Sequence, residues 1–265
     1  MKHDEITHQF AIGVLAILRL AGQEIMEIYE SDNIKVDFKK DESPLTEADR
    51  RSHRMILEYL AKLTPNIPIV SEEAEVEPET NSWYWLVDPL DSTVSFIENS
   101  EQFAVMAALM HEQHPVFGVI HTPAMKIDYY GGVSLPAAKI EFGAENEIHV
   151  GSELNDPLEV LTSRMHDENQ SRPLLKKIGP HHISQVGSGL KFGRVADGSA
   201  DVYIRQRITM EWDTAAGQAI VEAAGGKMLA IDGSRFSYGK AERKNPGFVV
   251  YNPLLKFEKI LKSLK

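Results

Sequence analysis

The chain contains no cysteine. That absence removes disulfide frameworks, zinc–thiolate sites, iron–sulfur clusters and thiol nucleophiles at once. Positive charge is also scarce: 28 Lys and Arg face 39 Asp and Glu, for a formal net charge of −11. Such a surface repels polyanions, so duplex nucleic acid is not an expected partner. A small anion can still be held where bound cations reverse the local field. No apolar run approaches the length of a membrane span. The amino terminus carries Asp4 and Glu5 where a secretory signal would carry positive charge, and no small-residue cleavage site follows. The expectation is a cytoplasmic protein without an integral membrane segment; peripheral membrane association and oligomeric state stay open. Other chemistries lack their signatures too. The ten histidines, His181-His182 among them, show no zinc-ligand spacing. Gly187-Ser188-Gly189 lacks the third glycine of a dinucleotide fingerprint. Ser188 has no His or Asp partner readable from the sequence, which argues against a serine nucleophile. Internal repeats and low-complexity tracts are absent.

What is present is an ordinary globular composition, 43% apolar and 25% charged over 265 residues, enough for one large domain or two packed subdomains. Phe10, Val14, Ile17, Leu18, Ala21, Ile25 and Ile28 recur at helical spacing and predict a first helix ending near Ser31-Asp32-Asn33. Ile34 to Phe38 reads as a short strand. Thr46 is a good N-cap with Asp49 in capping-box position, opening a second helix that runs to Pro65. Ile67 to Val70 and Trp83 to Val87 read as buried strands, with Trp83, Tyr84 and Trp85 as packing and the acidic loop Ala74 to Asn81 as a solvated tip. Phe103 to Met110 and Val116 to His121 pair around Glu112-Gln113-His114-Pro115, followed by a strand at Ile127 to Tyr130. The stretch from Ser134 to Pro157 is mixed and polar, which suggests a subdomain boundary there, dividing 1–133 from 134–265. Beyond it, strands at Leu158–Leu161, Ile183–Val186, Val202–Arg205, Lys227–Ile231 and Gly247–Tyr251 alternate with helices. The helices are Asn169–Ile178, a segment from Gly187-Ser188-Gly189 to Ala196, Asp213–Ala224 closed by Gly225-Gly226, and Leu254–Leu264.

Chemistry concentrates in carboxylates that share one setting. Glu72 follows the strand Ile67–Val70. Asp88 and Asp91 follow Trp85-Leu86-Val87. Asp213 follows Ile208-Thr209-Met210 and opens a helix. In α/β folds such strand ends and helix starts are where sites form. Hard divalent cations take oxygen ligands, and magnesium prefers a few carboxylates plus water and phosphate. Asp88 and Asp91, separated by Pro89-Leu90, can bracket two ions, with the Leu90 carbonyl beside them. Free N–H groups at Ser92-Thr93 and Thr214-Ala215 can receive phosphate oxygens. Asp91 and Asp213 can each equally be helix caps. Four acids after apolar strands are more than capping alone requires.

Ser71-Glu72-Glu73, Trp85-Leu86-Val87-Asp88-Pro89-Leu90-Asp91-Ser92-Thr93 and Glu211-Trp212-Asp213-Thr214-Ala215-Ala216-Gly217 resemble the signature motifs of the inositol monophosphatase superfamily. Asp41-Glu42-Ser43-Pro44-Leu45-Thr46-Glu47-Ala48-Asp49, Ser188-Gly189-Leu190-Lys191-Phe192 and Asn245-Pro246-Gly247-Phe248 are similar to motifs of its bacterial 3'(2'),5'-bisphosphate nucleotidase branch. The resemblance implies a layered α-β-α-β-α sandwich of α/β type. It implies two or three Mg2+ ions held by Glu72, Asp88, Asp91, Asp213 and the Leu90 carbonyl. Thr93 with Glu72 would orient the attacking water, and Asp49 would support that base or hold a third ion. Asp91, Ser92, Thr93, Asp213, Lys191 and Ser188 would contact substrate. The implied reaction removes the 3'-phosphate of adenosine 3',5'-bisphosphate, a step of sulfur assimilation, with inhibition by lithium.

The chain departs from the family pattern at several points. Ser92 stands where the motif has Gly; a positive φ would strain it by about 1 kcal/mol, whereas a helix start normally has negative φ and tolerates Ser. Val94-Ser95 replaces Lys-Glu, removing a positive charge beside the site. Gln218 replaces a His, and Tyr203-Ile204-Arg205 replaces Tyr-Pro-Arg. Lys191, Arg205 and Arg207 read by default as surface charge. Two other readings therefore stand beside the nucleotidase: an inositol or sugar phosphatase, and a non-catalytic paralogue that binds phosphate ligands.

Overall fold

The structure is a computed structural model that describes residues 1–31, 34–39, 42–74, 82–163 and 168–262. The acidic loop expected as a solvated tip lies, beyond Ala74, outside the described residues, as do Asp41 and the expected helix end at Asp32-Asn33. The elements run α1 (His8–Tyr29), β1 (Val36–Phe38), β2 (Pro44–Thr46), α2 (Glu47–Leu63), β3 (Ile69–Ser71), β4 (Trp83–Asp91), α3 (Thr93–Ile97), β5 (Ala104–His111), β6 (His114–Thr122), β7 (Ile127–Gly132), β8 (Leu135–Glu141) and β9 (Ala144–Glu147). The remainder are β10 (Leu158–Thr162), α4 (Glu168–Ile178), β11 (His181–Gln185), α5 (Leu190–Ala196), β12 (Val202–Arg205), β13 (Thr209–Met210), α6 (Trp212–Ala223), β14 (Lys227–Ala230), β15 (Lys244–Asn245), β16 (Phe248–Tyr251) and α7 (Phe257–Lys262).

Two sheets and three helical layers alternate. β3 to β9 form a seven-stranded sheet in chain order, antiparallel except for the parallel β3–β4 pair. The stripe of α1 (Val14, Leu18, Ala21, Ile25) packs with Ile56 and Leu60 of α2 on one face of it, against Trp85, Val105 and Phe117. On the other face α5 and α6 set Phe192, Ala216 and Ile220 against Met106, Ile120 and Tyr129, and the same core takes in Tyr203, Phe248 and Val250 of the second sheet. That sheet has the order β11-β10-β12-β16-β14. Leu174 and Leu175 of α4 and Phe257 and Leu261 of α7 cover its far side. The molecule is thus the layered α-β-α-β-α sandwich expected.

The α6 layer approaches the first sheet very closely. A Cβ on Gly118 of β6 would lie 2.3 Å from the Ala216 carbonyl oxygen. Only glycine leaves room for a helix backbone to rest on a strand in this way.

Several elements differ from expectation. β4 does not stop at Val87 but runs through the acidic motif to Asp91. Asp88 pairs with Met106 and Asp91 with Ala104, so one extra residue stands on β4, a β-bulge that accommodates the missing N–H of Pro89. Ser134 to Pro157, expected as a boundary region, contains β8 and β9, which extend the first sheet. The division at 133/134 therefore falls between two paired strands, and the second sheet begins at Leu158. The terminal helix is broken: a 3-10 turn at Pro253–Leu255 and α7 flank Lys256 at φ 50.

Candidate active site

The ends of β3 and β4 and the start of α6 converge. Glu72 follows β3 directly and its N–H donates to the Val87 carbonyl at 3.1 Å. Asp88 lies on the bulged strand and is 2% exposed; its Oδ1 accepts the Leu90 N–H at 3.1 Å. Asp213 sits in the first turn of α6, where its Oδ2 accepts the Met210 N–H at 2.8 Å. Each of Glu72, Asp88 and Asp213 offers a carboxylate oxygen within 4.8 Å of the others. Asp91 reaches across to the loop before α5, accepting the Gly189 N–H at 2.5 Å.

So dense an acidic cluster is unfavourable by itself. Burial raises the Asp88 carboxyl well above its usual range, and the charges of Glu72, Asp91 and Asp213 add to that. Asp213 is pushed up to about 8 by burial and by Asp91 and Glu72. Burial likewise raises Glu72, partly opposed by Lys39. Buried carboxylates that raise one another's affinity for protons are equally placed to receive a cation. The donor set, all hard oxygen, fits magnesium.

Asp49 is 1% exposed and completes the expected capping box: its Oδ2 accepts the Thr46 N–H at 2.7 Å and the Thr46 hydroxyl at 2.5 Å. Its other oxygen faces Thr93, whose Oγ1 lies 3.1 Å away, with the Leu90 carbonyl as the alternative acceptor at 3.3 Å. Among the described residues no hydrogen bond joins Thr93 to Glu72; Asp49 is the partner. Ser52 Oγ donates to the Pro89 carbonyl at 2.6 Å and fixes the bulge from α2.

Ser92 has φ 75 and ψ 54, so the glycine conformation is retained without the glycine. Its hydroxyl turns to Ser95 Oγ at 2.7 Å. Among the described residues the Ser92 and Thr93 N–H groups find no protein acceptor. The N–H groups of Thr214 and Ala215, expected to be free for phosphate, instead donate to the Glu211 carbonyl at 3.3 and 3.1 Å.

A cleft of about 670 Å³ extends from these carboxylates. The same cleft is lined by Lys191, Arg205 and Arg207. Lys191 is not surface charge: it is buried, donating to the carbonyls of Val186 at 3.1 Å and Ser188 at 2.5 Å. Burial pushes its ammonium down to about 8. Arg205 donates through Nη1 to Ser163 at 2.5 Å, while its Nε and the hydroxyls of Ser188 and Thr209 are buried without a hydrogen-bond partner. Such orphaned groups lining a cleft are suited to a polar ligand.

Sequence reasoning missed Lys39. Its Nζ donates to Glu72 Oε1 at 2.7 Å and Glu73 Oε1 at 2.6 Å. The signal was slight, a lysine just after a short strand. Glu73, read as part of the Ser71-Glu72-Glu73 motif but given no role, is pushed up to about 7 chiefly by burial.

Comparison with known proteins fits this geometry. A sequence profile described as the inositol monophosphatase family matches residues 7–263. The 3'(2'),5'-bisphosphate nucleotidase CysQ of Salmonella typhimurium is 40% identical over 242 residues, covering 89% of this chain and 97% of that one. The protein of the same name from Haemophilus influenzae is 32% identical over 244 residues, covering 89% and 90%. Among solved structures, CysQ from Bacteroides thetaiotaomicron superposes with a TM-score of 0.80 at 33% identity, over 93% of this chain and 98% of that one. An IMPase from Thermotoga maritima gives a TM-score of 0.77 at 24% identity, over 97% and 98%, a likeness of fold.

Proposed function

Since this chain belongs to the inositol monophosphatase family, we propose that it is a Mg2+-dependent phosphatase that removes the 3'-phosphate of adenosine 3',5'-bisphosphate. The observation that carries this reading is a cleft lined both by the half-buried carboxylates of Glu72, Asp91 and Asp213, beside the buried Asp88, and by the buried Lys191 and half-buried Arg205. A molecule with two phosphates, one for the ion-holding carboxylates and one for the cations, matches that lining. The names of the CysQ relatives support the nucleotide.

In this proposal Glu72, Asp88, Asp91, Asp213 and the Leu90 carbonyl would hold two ions, and Asp49 would support the base or hold a third. Bound Mg2+ supplies Lewis-acid activation of water and offsets charge developing on the phosphate. The protein's own groups do the rest. Thr93 donates its hydroxyl proton to Asp49 at 3.1 Å, which leaves its lone pairs to accept from the attacking water and orient it. The Ser92 and Thr93 N–H groups donate to the equatorial phosphate oxygens. Lys39 draws Glu72 and Glu73 together and tempers the cluster's charge. Lys191, with Ser188 and Arg205, receives the remote phosphate. Lithium inhibition belongs to the same proposal.

The test is phosphate release with Mg2+, offering adenosine 3',5'-bisphosphate and inositol 1-phosphate side by side. Preference for the nucleotide is expected. Equal or faster release from inositol 1-phosphate would sink the substrate assignment while leaving the chemistry. Asp91→Asn should cut turnover by orders of magnitude. A wild-type chain that is thermally stabilised by the nucleotide yet releases no phosphate would be a binder and not an enzyme.

A further inference from the structure

We propose that a second cleft, between α1 and strands β6 to β8, binds a small neutral aromatic molecule with one N–H or O–H donor, received by His121. This cleft measures about 560 Å³. It shares no lining residue with the cleft described above, and the inference is independent of the proposed hydrolysis.

Its centre is a buried imidazole with an unused nitrogen. His121 is 8% exposed and places Nδ1 at 2.6 Å from Asp128 Oδ1. Arg19 donates to the other oxygen of Asp128 through Nε at 3.1 Å and Nη2 at 2.5 Å. In the neutral ring the proton therefore sits on Nδ1, facing the carboxylate, and Nε2 presents a lone pair. Among the described residues Nε2 has no hydrogen-bond partner, although His121 lines the cleft. Gly22 of α1 makes room for it: a Cβ there would lie 2.4 Å from Nε2. Glycine inside a helix is destabilising relative to alanine, so the notch comes at the expense of α1.

The walls suit a flat apolar body. Met26, Pro123, Ile140 and Phe142 line the cleft. Phe142 is 93% exposed and has φ 51 at the tip of the β8–β9 hairpin, next to Gly143 at φ 78. Asn or Gly suits such left-handed turn positions, and a bulky ring is an outlier there. An exposed aromatic face at the rim of a cleft that a thioether also lines is a stacking surface. Charge then selects the ligand class. Arg19 and Lys126 are matched by Asp128 and Glu30, so neither an anion nor a cation is favoured, and the lone pair of Nε2 calls for a donor.

The experiment is 19F NMR of 4-fluorophenol titrated with the full chain, with 4-fluoroanisole as the probe that lacks the donor. Saturable broadening of the phenol signal is expected, with little for the anisole. Saturating adenosine 5'-monophosphate should leave it unchanged. His121→Leu should abolish it, and Phe142→Ser, an exposed substitution that does not threaten folding, should weaken it several-fold. The proposal fails if broadening does not saturate, if the anisole binds equally, if the nucleotide displaces the phenol, or if Phe142→Ser binds as the parent does.

Discussion

At Ser92 two small energies oppose each other. Its left-handed backbone costs a residue with a Cβ about 1 kcal/mol, while the bond to the buried Ser95 hydroxyl returns about 1 kcal/mol. Ser92→Gly relieves the strain but loses the same bond, and should cost about 0–1 kcal/mol. Ser92→Ala keeps the strain, strands Ser95 and should cost about 1–2 kcal/mol. Urea unfolding separates the two, and a harmless Ser92→Ala would show that the hydroxyl pair contributes nothing. Lys191 gives a pH signature. Burial lowers its ammonium to about 8, so the charge is present at neutral pH and is lost as pH rises through that value. The KM for a bisphosphate should climb above pH 8, and Lys191→Met should start high and lack that limb. A rise of equal size in the Met variant would assign the limb elsewhere. The sequence could pose the Ser92 question but not answer it, because φ depends on the bulge before it. The default reading of Lys191 as surface charge fails because its burial depends on the backbone carbonyls of Val186 and Ser188, which composition does not reveal. Lys39 meets Glu72 across 33 residues of chain, beyond any local pattern.

Most elements were legible where periodicity is strong. The stripe of α1 and the Thr46–Asp49 capping box emerged as read, because both depend on residues three or four apart. The strand read from Trp83 to Val87 stops short of Asp88-Pro89-Leu90-Asp91, yet pairing with β5 keeps that segment in the strand and only bulges it. β9 escaped notice because every residue in it is exposed, leaving no alternation to detect. The same scale explains how Asp213 is positioned. α6 rests on β6 through Gly118, where a Cβ would meet the Ala216 backbone at 2.3 Å. Backbone cannot rotate away as a side chain can, so Gly118→Ala should displace the helix. It should lower Tm and weaken Mg2+ binding by calorimetry together. Loss of stability with unchanged Mg2+ affinity would show that Asp213 is placed by other contacts.

For the whole molecule, the acidic cluster makes stability and ion binding pull in opposite directions. Glu72, Asp88 and Asp213 are confined together and each carboxyl is raised by burial and by its neighbours. Mg2+ that binds only the folded chain should stabilise it by about 2.7 kcal/mol at 100 times Kd. Asp88→Asn removes one charge of the cluster. Without Mg2+ its Tm should equal or exceed that of the parent, and Mg2+ should no longer raise it. A variant less stable than the parent in chelator would mean that Asp88 matters to the fold for a reason other than charge. The ligand set also spans the molecule: Glu72, Asp88 and Asp91 belong to the first sheet, whereas Asp213 arrives on a helix encoded beyond the second sheet's first strands. Residues 148–157, between the two sheets, are consequently the natural point at which to divide the gene. Each fragment would carry only part of the ion cage, and one would bare a face of the first sheet while the other bared the α5–α6 face that packs on it, so recovery of phosphatase turnover on mixing would report their reunion, and the protein could serve as a split reporter.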